Sequence, residues 1–189
     1  MNAGEHADPK SPSILRTFLS LIILLALAVG LSWLLREYVV QPYEIPSGSM
    51  ETTIMTDDKL FSEKISYYFN DIKAGDIVTF QDTEIPGRIL IKRVIATGGQ
   101  TVDLIDGYVY IDGVQLEESY VNGERSDPLS ATLTEISYPY TIPQGYLWVM
   151  GDHRTNSKDS RYFGAITESS VTGKAWLTYW PFNRFGFLD

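Results

Sequence analysis

The stretch RILIKRVIATGGQTVDLIDGYVYIDG, residues 88–113, sets the fold class. Apolar and polar side chains alternate along 88–97, 101–105 and 108–111, the period of a half-buried strand. Asp106-Gly107 and Asp112-Gly113 follow two of these runs, and an Asp-Gly pair tolerates the positive φ that a two-residue hairpin turn requires. Working outward, 76–81, 145–150 and 172–180 show the same short runs, bounded by Gly, Pro, Asn and Asp. No long amphipathic helix interrupts them, and only a helical turn or two is expected around 60–69. The spacing predicts a mainly β body of antiparallel sheets. A polar excursion is expected at about residues 117–137.

Ahead of this body, TFLSLIILLALAVGLSWLL (residues 17–35) has no charged side chain. As a helix it is about 28 Å long, close to the ~30 Å hydrocarbon core of a bilayer. Core helices of soluble proteins are normally shorter and more often interrupted by polar groups. A cleaved signal peptide is the other alternative, but the run is long for one, and Trp33-Leu34-Leu35-Arg36 offers no small-x-small cleavage site. An uncleaved transmembrane anchor is expected. Lys10 and Arg16 precede it, whereas Arg36 follows with no further Lys or Arg until Lys59. The bias makes 1–16 a cytoplasmic tail and 36–189 an extracytoplasmic domain of a single-pass membrane protein.

Composition narrows the chemistry. With no cysteine, there is no disulfide, thiol nucleophile or thiolate metal site. The only histidines are His6 and His153, too few for a His-rich cluster, and no ordered Asp/Asn/Gly calcium loop is present. Neither metal nor cofactor is expected. The formal charge is −9, and residues 37–189 carry 12 Lys/Arg against 22 Asp/Glu. Such a body is a poor match for a phosphate backbone, so nucleic acid is excluded as a partner.

Three short segments hold chemically active side chains. Ile45-Pro46-Ser47-Gly48-Ser49-Met50 reads, taken alone, as an ordinary turn, although Gly48 permits a backbone that exposes one hydroxyl beside a neighbouring amide. In the strand 88–95, alternation puts Lys92 on one face with Leu90 and Val94, and Arg93 on the other with Ile91 and Ile95. A lysine at the edge of an apolar face usually snorkels to water. The sharper alternative is a desolvated, neutral amine able to act as a general base. Residues 150–161 pack Asp152, Arg154, Ser157, Asp159 and Arg161 into one loop, either a solvated loop or a rigid platform built from charge-assisted hydrogen bonds.

Taken together, these segments resemble the bacterial type I signal peptidase family, membrane-anchored proteases with a serine–lysine dyad. Pro46-Ser47-Gly48-Ser49-Met50 is nearly identical to the family's first motif. Gly75-Asp76-Ile77-Val78 with Phe80, then Ile91-Lys92-Arg93-Val94, are similar to its next two. Gly151-Asp152-His153-Arg154 with Ser157 and Asp159-Ser160-Arg161 is similar to its last. The order of the motifs and the preceding apolar segment agree as well. Three departures stand out. His153 replaces a common Asn, Thr52-Thr53 stands where Pro-Thr is usual, and Thr97-Gly98-Gly99-Gln100 stands where Pro-Gly-Asp is common.

The resemblance implies Ser49 as nucleophile and Lys92 as general base. It also implies that the Ser49 amide and the Ser47 hydroxyl stabilise the oxyanion, and that Ser157 bonds and aims Lys92. Asp159 is expected to brace the loop through Arg161 or Arg154, and Asp152 to fix its start. The implied substrates are secretory preproteins, cleaved after small residues (Ala-x-Ala-like sites). Ile45, Met50, Ile89, Leu90 and Ile91 are candidate pocket residues. The bilayer is an expected partner, with transient proximity to the secretion translocon. Two other readings remain open at this point: a specialised dyad protease for pilin-like or surface-protein precursors, and a non-catalytic membrane-tethered homologue. Aromatics at Tyr67-Tyr68-Phe69 and at Trp176, Tyr179, Trp180, Phe182, Phe185 and Phe187 fit either core packing or a membrane-facing surface.

Overall fold

A computed structural model of the chain describes residues 14–188. Residues 1–13 of the expected tail, with Lys10, lie outside the described residues. The chain divides into an N-terminal helical unit ending at Tyr38 and a β unit beginning at Val39.

Helix α1 (Ile14–Tyr38) has 25 residues and no buried side chain; an 18-residue stretch of it has a mean hydropathy of 2.6, so it is long and apolar enough to cross a membrane once. Leu and Ile dominate it on all sides, so it has no polar face to lay on water.

The β unit contains β1 (Val40–Glu44), β2 (Lys59–Glu63), β3 (Ile77–Gln81), β4 (Ile89–Thr97), β5 (Thr101–Ile105) and β6 (Tyr108–Ile111). They are followed by β7 (Val114–Gln115), β8 (Tyr140–Thr141), β9 (Tyr146–Met150), β10 (Ile166–Thr167), β11 (Val171–Trp180) and β12 (Gly186–Phe187). Two single-turn helices, α2 (Ser66–Phe69) and α3 (Ser160–Phe163), complete it. The larger sheet runs β1-β2-β11-β3-β4-β9-β10, with β12 added to β11. The smaller runs β7-β6-β5-β8, and the pairs in both are antiparallel.

The mainly β, antiparallel expectation is met, and the strands found from periodicity agree with the observed ones to within a residue at each end. Both Asp-Gly turns form. Asp106, Gly107, Asp112 and Gly113 have φ of 53°, 88°, 52° and 80°, and they join Ile105 to Tyr108 and Ile111 to Val114.

Of the helical turn or two expected around 60–69, one forms, at 66–69, and the first part of the range is strand. Leu60 and Ser62 point inward with period 2, and β2 is paired on both sides, by β1 and β11. Only Ser66–Phe69 is helical. Strand β1 contains Pro42, which hid it from a search for alternation; it lies at the sheet edge, where a missing N–H is tolerated.

β4 is the centre of the unit. Residues 91–96 are buried on both faces, so Lys92 and Arg93 sit within the sheet interior. Ile91 joins a cluster with Ile45, Met50, Ile54 and Leu60; Val94 joins Val78, Phe80 and Val149. Ile95 and Ala96 meet Trp148 and Met150, and Val102 and Val109 of the smaller sheet pack into that same cluster.

Candidate active site

The segment between β1 and β2 is closed at its base by backbone bonds from Ile45 N to Asp58 O (2.9 Å) and from Asp57 N to Ile45 O (2.8 Å). Met50 and Ile54 are fully buried and pin the segment to the core, while Glu51 N reaches Gly48 O at 3.1 Å. Ser49 is thereby held at the head of an anchored turn, only 8% exposed.

Strand β4 presents Lys92 to it. Nζ lies 2.6 Å from Ser49 Oγ and donates to the Ile91 carbonyl at 2.8 Å. Lys92 is 3% exposed. Desolvation pushes its pKa down to about 8, against the opposing pull of Asp159 and Asp152. About a tenth of the amine is therefore neutral at pH 7.

The loop after β9 is the rigid platform. Asp159 receives Arg161 Nε at 3.0 Å, Arg161 Nη2 at 3.0 Å and the Gly151 N–H at 3.1 Å. Burial alone would raise the Asp159 carboxyl, but Arg161 and the Gly151 N–H outweigh it and hold the group ionised. Of the two arginines considered as its partner, Arg161 is the one found. Arg154 instead donates to Glu118 at 3.0 and 2.6 Å, to Ser126 Oγ at 2.5 Å and to the Gly151 carbonyl at 2.9 Å. Asp152 is gripped by Arg93 and accepts from Thr53 Oγ1 at 2.5 Å, tying the loop to the turn that holds Ser49.

Ser157 does not occupy the expected place. Its Oγ is buried and makes no hydrogen bond of ordinary geometry among the described residues; it interacts instead with the Asp159 carboxylate. The Lys92 amine is aimed by the Ile91 carbonyl, a bond within one residue that alternation could not reveal.

A cleft of about 570 Å³ opens on Ser49 and Lys92. Ser47, exposed, and Leu90 line it from the turn and from β4; Thr155, Asn156, Ser157 and Lys158 line it from the loop, with Tyr162 from α3. Leu129, Ser130 and Ala131 form another part of the wall. Of the apolar residues expected to line pockets, Leu90 does so. Ile45, Met50 and Ile91 are core residues, and Ile89, half-buried, is not among the residues lining the cleft.

Arg93, Glu118, Tyr120 and residues 129–131 were missed by sequence reasoning. Arg93 lies under the Tyr120 ring at 4.1 Å from its centroid as well as against Asp152. The pattern placed Arg93 on the face opposite Lys92, but no local signal points to its partners. Residues 118–131 belong to the polar excursion, whose composition resembles any solvated loop.

A hydroxyl held against a desolvated amine, with no histidine between them, is the arrangement used by serine–lysine hydrolases. The comparisons agree with that class. Residues 15–180 match the model of the family described as signal peptidase, peptidase S26. The chain is 38% identical over 174 residues to the probable signal peptidase I-1 of Synechocystis sp., covering 88% of this chain and 85% of that protein. It is 34% identical over 186 residues to signal peptidase I T of Bacillus subtilis, covering 97% and 94%. A signal peptidase I crystal structure from Enterococcus faecalis matches with 33% identity and a TM-score of 0.46, covering 56% of this chain and 97% of the other. The chain belongs to the signal peptidase family. It is a serine endopeptidase that cleaves signal peptides.

Proposed function

We propose that Ser49 Oγ attacks the scissile carbonyl and that neutral Lys92 removes its proton. The observation that carries this reading is the 2.6 Å approach of Nζ to Oγ in a cleft that desolvates the amine. Protonated Lys92 then delivers its proton to the leaving amine, and the neutral amine activates the water that hydrolyses the acyl-enzyme. The Ser49 amide and the Ser47 hydroxyl hold the developing oxyanion. Asp152, Arg154, Asp159 and Arg161 support the geometry without touching reacting atoms, and Ser157 lines the cleft beside them.

The substrate is the segment of a secretory preprotein around its cleavage site, with small side chains at the first and third positions before the scissile bond. The half-buried Leu90 supports a shallow apolar surface for one of them. Residues 1–16 face the cytoplasm and the β unit faces outward, close to the secretion translocon. Phe69, Phe182 and Phe187, 82%, 76% and 71% exposed, support bilayer contact by the β unit.

Detergent-solubilised protein incubated with a secretory precursor should release a mature chain whose new N-terminus follows a small-x-small site. Ser49→Ala should abolish that cleavage while leaving the near-UV circular dichroism unchanged. Cleavage by S49A at the wild-type rate removes the nucleophile assignment. Orientation is tested separately: protease added to spheroplasts should digest the β unit and spare an N-terminal tag, and protection of the β unit until lysis overturns it.

A further inference from the structure

In this acidic unit, most cations are matched to carboxylates. Of the 12 Lys and Arg in residues 37–189, at least eight form ion pairs with Asp or Glu among the described residues, including Arg88 with Asp82 at the rim of the catalytic cleft. Lys158, like Lys73, stands outside these pairs. It is exposed, lines the cleft that holds Ser49 and Lys92, and has no carboxylate partner among the described residues. Its Nζ lies over the Tyr162 ring, 4.5 Å from the centroid, and Tyr162 lines the same cleft.

The ammonium is also well placed. Lys158 precedes Asp159, whose carboxylate is fully buried and bonded to Arg161 and to the Gly151 N–H, so the backbone beneath the side chain is fixed. The Tyr162 ring face then limits where the flexible stem carries its charge. At physiological salt the Debye length is about 8 Å, so a substrate carboxylate inside the cleft responds to the nearest cation more than to the negative charge of the whole unit.

We infer that Lys158 reads an acidic side chain of the substrate, presented at the first or second residue after the scissile bond. This rests on the dyad reading above. In that reading the first and third side chains before the bond are small and cannot carry the carboxylate, and the residues just after the bond are the ones assigned to Lys158. An anionic lipid headgroup offers the same charge, but Lys158 shares its cleft with the reacting groups, which favours the peptide.

The test compares kcat/KM for matched precursor peptides bearing Glu or Gln at the first or second position after the bond, using the full chain in neutral detergent. Wild type should prefer Glu at one of these positions by roughly two- to fivefold, the range of an exposed ion pair. That ratio should shrink as salt rises, approach one in Lys158→Gln and reverse in Lys158→Glu. A wild-type ratio of one at both positions, or a ratio unchanged in K158Q, overturns the inference. So does a K158Q defect that is equal for Glu and Gln peptides and appears only when vesicles contain phosphatidylglycerol, since the cation would then read lipid. Ser49→Ala, run on the same peptides, keeps the two readings apart. S49A that still cleaves removes the dyad, whereas a Ser49-dependent enzyme indifferent to the Glu/Gln exchange removes only the role of Lys158.

Discussion

Arg93 holds Asp152 through two hydrogen bonds, Nε to Oδ1 at 3.0 Å and Nη2 to Oδ2 at 2.9 Å, with both side chains buried. Arg93 follows Lys92 on β4, and Asp152 opens the loop that carries Ser157 and Asp159. The pair therefore locks the strand bearing the proposed base to the platform beside it. Asp152→Asn should cost about 3–5 kcal/mol, because it breaks a buried, doubly hydrogen-bonded ion pair. Urea unfolding of the detergent-solubilised protein measures this, and a loss under about 1 kcal/mol would show that the other contacts of Arg93, Gly75 O and Tyr120 among them, suffice to hold it.

The lowered pKa of Lys92 makes both rate and stability depend on pH. Turnover should fall as pH drops below about 8, as the amine gains a proton and can no longer accept one from Ser49. Lys92→Arg should be inactive at every pH, since guanidinium stays protonated. For stability, the unfolded chain holds the Lys92 proton up to about 10.5 and the folded chain only to about 8. The unfolded state thus binds more protons between those values, and stability should rise with pH across that window. Below it, a penalty of about 3 kcal/mol is fully present. Lys92→Met should be the more stable protein below pH 8 and should lack the rise. Parallel pH–stability curves for wild type and K92M would contradict this.

Gly151 sits where no Cβ fits. One built there overlaps Ser157 Oγ and the Ser49 backbone carbonyl, so Gly151→Ala must displace the turn carrying the nucleophile. A shift of about 1 Å at a reacting group costs on the order of 10²-fold in rate. Single-turnover cleavage by G151A should fall at least that far with folding retained by circular dichroism, and a variant within tenfold of wild type would place the slack elsewhere.

Ser157→Ala should be mild. Its buried hydroxyl has no ordinary hydrogen bond to lose, and the Lys92 amine is already held by Ile91 O and Ser49 Oγ. Stability should hold or rise slightly, and the single-turnover rate should fall by about tenfold or less, the worth of one modest interaction. A loss of several orders of magnitude would mean that Ser157 swings onto Lys92 once substrate is bound.

The sequence by itself determined the elements whose cause is local. The uncharged run at 17–35 had to be one long apolar helix, the two Asp-Gly pairs had to turn, and runs of period 2 had to be strands. It also supplied the reactive residue types and their order, which was enough to identify the family. What it left open depends on which distant segments close on each other. Strand β1 hid behind Pro42, and β2 looked helical until β1 and β11 paired with it. Ser49 and Lys92 are 43 residues apart, and the Arg154–Glu118 contact spans 36. Alternation placed Lys92 on an apolar face, but only the packing of the turn that holds Ser49, the smaller sheet and Phe163 against β4 buried both faces of residues 91–96 and stripped water from the amine. Desolvation and ion pairing are properties of what surrounds a side chain, and here those surroundings are assembled by tertiary closure from the turn, the central strand, the loop and the excursion.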